Sequence, residues 1–138
     1  MLVIKTAQMR ALEEHMALGF EARLSLAMRA WFPDQVDGMH GGEKKYQELL
    51  RTWIRRALDY GIRSERDIAA FVALILANAE LSKGRQDLID WCALIVESDD
   101  LAGASKIPAI MHRLRLEAQT DPRAKRLDEI FLGLRGAD

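Results

Sequence analysis

The chain contains one cysteine among 138 residues. Cys92 has no partner for an internal disulfide, and a chain of this length does not need one to supplement its core. That usage fits a reducing, cytoplasmic setting. Net charge is also scarce, since 20 Lys and Arg against 21 Asp and Glu leave −1. A protein that binds nucleic acid by neutralising phosphates carries a basic surplus, so no nucleic acid is expected as a partner. Long apolar runs are missing too. The longest without a charge, Ile68 to Ala79, is far short of the roughly 20 residues that span a bilayer, so no membrane partner is expected. The opening Met1-Leu2-Val3-Ile4 meets Lys5 before an apolar signal region can form, which predicts no export signal.

The groupings that carry chemistry are equally thin. A helical zinc site needs two histidines one turn apart with a carboxylate between them, whereas His15, His40 and His112 are isolated. No metal or cofactor is expected. Cys92 sits on an apolar helix face beside Trp91 and Ile95 with no histidine base near it in sequence, which reads as a core thiol and not a nucleophile. Asp99 and Asp100 fall in a turn with no second carboxylate to work with. The glycines before Glu43, Lys44 and Lys45 do not follow Walker spacing, and no strand precedes them. No enzyme is expected.

What is present is helical periodicity. After Thr6, apolar residues recur at spacings of three and four through Met9, Leu12, Met16, Phe20, Leu24, Ala27 and Trp31, which predicts a long first helix over about 7–31. Glu13 and Arg23 fall inside that stripe and must be paired or lie at its solvated margin. Pro33, Gly38, Gly41 and Gly42 then predict a mobile loop. A second helix places Tyr46, Leu50, Trp53 and Ala57 on one face and ends at Gly61. Ser64 to Asp67 resembles a capping box, and the helix after it is apolar on every side, the mark of a central element. A short fourth helix follows a turn at Ser82 to Arg85 and carries Leu88, Trp91, Cys92 and Ile95. The fifth is expected to start near Ser105, with Pro108 in its first turn, and the last at Asp121-Pro122, closing at Gly136. Strands are expected to be absent or trivial, with Leu2 to Ile4 the one candidate segment. The pattern predicts an all-α fold, a compact single-domain bundle of five to six helices with a long N-terminal helix.

Surface features point to protein contacts. Trp31 and Phe32 border the glycine-rich loop, and aromatics in such places anchor interfaces, although core packing is the commoner fate of large aromatics at helical spacing. His40 lies in the loop itself. Lys44, Arg51 and Arg55 form a ridge suited to an acidic partner, against the plainer reading of a solvated face with Glu48–Arg51 and Arg55–Asp59 pairs. Acidic residues dominate Ala77 to Ala102, which would suit a homo-oligomer or a basic partner. The hairpin of the second and third helices imitates a helix-turn-helix, but Ile68 to Ala79 offers bases only Asn78.

The order Leu2-Val3-Ile4, long helix, Trp31-Phe32-Pro33, then Tyr60-Gly61-Ile62-Arg63-Ser64-Glu65-Arg66-Asp67-Ile68 resembles the small helical proteins encoded within bacterial type VI secretion spike and effector clusters. The stretch after Ala77 departs from that pattern, lacking an aspartate- and proline-rich segment. The resemblance implies a cytoplasmic accessory protein whose partner is a secretion effector or spike component, acting as adaptor or chaperone. Immunity against a cognate toxin is the alternative, and a small enzyme of unknown class the second. No functional residues carry over from the family.

Overall fold

The computed structural model describes residues 19 to 81 and 90 to 136. The first half of the expected N-terminal helix, with Glu13 and His15, the Leu2 to Ile4 segment, the Ser82 to Arg85 turn and Leu88 all lie outside the described residues. Every regular element within them is a helix: α1 over 19–31, α2 Pro33–Asp37, α3 Gly42–Asp59, α4 Glu65–Leu81, α5 Asp90–Glu97, α6 Gly103–Glu117 and α7 Pro122–Gly136. α2 corrects the expected loop after Pro33. Proline at the first helical position is preorganised for a turn of helix, and Val36 supplies a buried anchor on which α2 closes.

α4 is the central element, as its apolar circumference requires. Ile68 and every residue from Ala70 to Asn78 are buried, and the helix packs against α2, α3, α6 and α7. Each fully buried Leu, Ile or Phe among them contributes roughly 1.5–3 kcal/mol of transfer free energy. The start of α4 is fixed by Ser64, whose Oγ accepts the Asp67 backbone N–H at 3.1 Å. Asn78 is the one polar side chain in the buried run, and its amide donates to the Leu74 carbonyl at 2.8 Å, back along its own helix.

α3 ends as its sequence dictates. Gly61 adopts φ +83°, its N–H bonds the Leu58 carbonyl at 2.9 Å, and the Ile62 N–H bonds the Ala57 carbonyl at 3.0 Å. That is a Schellman closure, completed by the fully buried Ile62 side chain. The same glycine admits α6. Gly103 approaches so closely that α6 begins there, two residues before the expected start at Ser105, which leaves Pro108 in the second turn instead of the first. Still near the N-terminus, the proline costs the helix one internal hydrogen bond, to the Ala104 carbonyl.

Candidate protein-interaction surface

The six residues singled out for partner binding divide sharply. Phe32 is 1 % exposed and belongs to the core, which removes it from any surface. Trp31 is half-buried against that core, and its indole lies over Gly133 of α7, where a Cβ would meet the ring at 2.1 Å. The missing side chain of Gly133 is therefore a seat for Trp31. His40, Lys44, Arg51 and Arg55 are exposed.

The ridge on α3 is tied to its neighbours more than sequence spacing implies. Arg51 donates to the Glu21 carboxylate of α1 at 3.0 Å, in place of the expected intrahelical pair with Glu48. Arg55 is likewise engaged. Lys44 has no side-chain ion pair among the described residues. Arg23, the charge within the first apolar stripe, sits at its solvated margin and pairs with Glu65 at the start of α4, at 2.7 Å.

At the N-terminus of α3, Gly41 and Gly42 take φ of +103° and +69° and turn the chain sharply into the helix. Glu43 then accepts hydrogen bonds from Gln47, at 2.9 Å, and from Arg29 of α1. Those two bonds hold its carboxyl below its ordinary 4.5, the Gln47 bond having the larger effect. A carboxylate in the first turn complements the helix dipole and repels anions, which disposes of a phosphate-binding role for the turn. Arg29 also stacks over the Tyr46 ring, 5.2 Å from its centroid. Tyr46 in turn donates its hydroxyl to the Ser25 carbonyl at 2.7 Å, and burial raises its pKa above 10.0. The α1–α3 seam is thus a polar lacing above a buried tyrosine.

No family model, curated protein or solved structure matches the chain.

Elsewhere two buried titratable groups, Cys92 and Lys106, are structural. Cys92 is fully buried, and desolvation pushes its thiol up to about 12 despite the opposing influence of Arg113. It is a packing residue at neutral pH. Lys106 is 5 % exposed, donates to the Val96 carbonyl at 2.6 Å and lies 5.4 Å from the Tyr60 ring centroid. It caps the C-terminal end of α5, where a cation is favoured. Among the described residues no group of His, Cys, Asp and Glu could hold a metal ion, and no helix is long and apolar enough to cross a membrane. From Ala70 to Asn78 α4 is buried against its neighbours, so that stretch offers no side chain to a DNA groove.

Sequence reasoning did not find Arg29, Lys106 or Arg113, because each works through a contact between helices. A lone Lys on the apolar side of α6, beside Ile107 and Ile110, was the only available signal for the second.

Proposed function

We propose that the chain is a non-catalytic protein-interaction module, an accessory adaptor or chaperone of a type VI secretion effector or spike protein. Its resemblance to small helical proteins of such clusters supports the reading. The structural observation that carries it is the turn from α2 into α3, where two left-handed glycines present exposed His40 and Lys44 beside a fixed Arg29–Glu43–Gln47 network. A cation held out on a helix terminus that is anchored from beneath loses little entropy when an acidic partner binds it. The same arrangement would serve occlusion of a toxin.

The test is pairwise co-purification of the full chain with each effector and spike protein encoded beside it. One stable complex, weakened about tenfold by Lys44→Glu, is the expected result. Binding to none of them overturns the adaptor reading. Rescue of toxin-producing cells by this chain, with no complex to a spike or intact effector, replaces it with immunity.

A further inference from the structure

We propose that the outer face of α5 and α6 binds a second copy of this chain about a two-fold axis parallel to the two helices, each α5 lying over the other copy's α6. The inference is independent of the proposed adaptor role.

The face is built around a stack across the seam. Arg113 of α6 lies over the Trp91 ring of α5, 5.0 Å from its centroid. Trp91 is in the first turn of α5 and Arg113 near the end of α6, so the two packed helices run antiparallel. Leu94 follows Trp91 by three residues and Leu116 follows Arg113 by three, which places each leucine beside the stack on its own helix. At 3.6 residues per turn, Leu94 is opposite buried Cys92 and Val96, and Leu116 is opposite buried Ile107 and Leu114. Both point outward, and they are 71 % and 58 % exposed. Single exposed leucines are ordinary, but two flanking a half-buried Trp and an Arg have the composition of an interface centre.

Charge selects the occupant. Asp90 lies on the edge of this face away from α6, and Arg115 on the edge away from α5, both exposed and without an ion pair among the described residues. An all-acidic or all-basic partner would meet a like charge along one edge. A second copy rotated about the axis keeps every residue at its own level along the helices while exchanging α5 for α6. Asp90 of each copy then meets Arg115 of the other, at adjacent levels, while Leu94 and Leu116, on opposite sides of the stack along the helices, each pack at their own level on the facing helix of the other copy. A two-fold contact requires just this self-complementarity.

The face is small. A 15-residue α6 is about 22 Å long and the 8-residue α5 about 12 Å, and with axes about 10 Å apart the two offer roughly 300–400 Å² per copy, under half of a standard interface. The dimer is therefore a weak one, with dissociation in the range of roughly 0.1–1 mM.

Sedimentation equilibrium of the full chain from about 10 μM to 1 mM tests this. The wild type is expected to pass from monomer to dimer. Asp90→Arg and Arg115→Asp should each weaken association about tenfold, since two rim pairs turn repulsive, and the double variant should restore it to within about twofold. Leu94→Asp should leave a monomer throughout, with an unchanged melting temperature because the side chain is exposed. A wild type that stays monomeric overturns the proposal, as does a dimer indifferent to either single charge reversal. A double variant no tighter than the singles also overturns it.

Discussion

Gly103 lies backbone to backbone against Gly61, so close that a Cβ on Gly103 would stand 1.8 Å from the Gly61 carbonyl oxygen. The contact joins the end of α3 to the start of α6 and leaves nothing flexible to move aside. Gly103→Ala is expected to cost about 3 kcal/mol, because α6 must shift as a body. Gly61→Ala should cost less, about 1–2 kcal/mol. Its Cβ would be 3.2 Å from the Gly103 Cα, and the main penalty is the left-handed φ of +83°. Urea denaturation of both variants checks the order, and a reversal would show that the close approach relaxes freely.

Trp31 packs where Gly133 has no side chain, and that makes it a structural residue before it is an interface one. Trp31→Ala is expected to destabilise by about 2–3 kcal/mol, an amount a merely surface aromatic would not reach. Gly133→Ala should drive the indole outward, red-shifting the Trp31 resonance or emission at a cost of about 1–2 kcal/mol. A stability change below about 0.5 kcal/mol for Trp31→Ala would return this residue to the surface.

Cys92 supplies a prediction in alkaline solution. The unfolded thiol ionises near 9.0 and the folded one near 12, so below pH 9 both states are protonated and the group has no effect on pH dependence. Above 9 the unfolded chain loses its proton first. Stability then falls with rising pH, by up to about 1.4 kcal/mol per pH unit for this group until the folded value is reached. Tyr46, also raised by burial, adds to the fall only above 10.0. Comparing the wild type with Cys92→Ala isolates the thiol: the gap between their stabilities should narrow between pH 9 and 11. Parallel curves would mean that the thiol is solvated in the fold. Native-state alkylation at neutral pH should be slow and become fast in denaturant.

The helices and their buried faces were legible because each is encoded within a few residues of itself. The apolar circumference of α4, the Ser64 cap, the Gly61 closure and the Pro122 start follow from local chemistry, and each appears in the fold. α2 was missed because the same proline and glycines that break a helix also start and stop a short one. Pairings across helices were not legible. Glu48 is the nearest acid to Arg51 in sequence, yet Glu21 takes it, since the packing of α1 on α3 decides which carboxylate is within reach. For the candidate surface, exposure of His40 and Lys44 followed from the glycines around them, whereas the burial of Phe32 depended on where α2 turned.

Lys106 joins its own helix to the end of α5, and its substitution separates two contributions that burial alone confounds. Lys106→Met preserves the stem volume and removes the ammonium, and with it the donor to the Val96 carbonyl and the cation beside the Tyr60 ring. Loss of that 2.6 Å bond leaves a buried carbonyl at a helix end, worth about 1–2 kcal/mol, and should raise hydrogen exchange in the last turn of α5. Lys106→Glu places a negative charge among carbonyls at the negative end of a helix dipole, where it must be buried or expelled with its stem. It should cost more than 3 kcal/mol. If the methionine variant matched the wild type while the glutamate unfolded it, the stem would be the stabilising part and the amine a passenger. Equal losses from both would show that the cap alone holds α5 against α6.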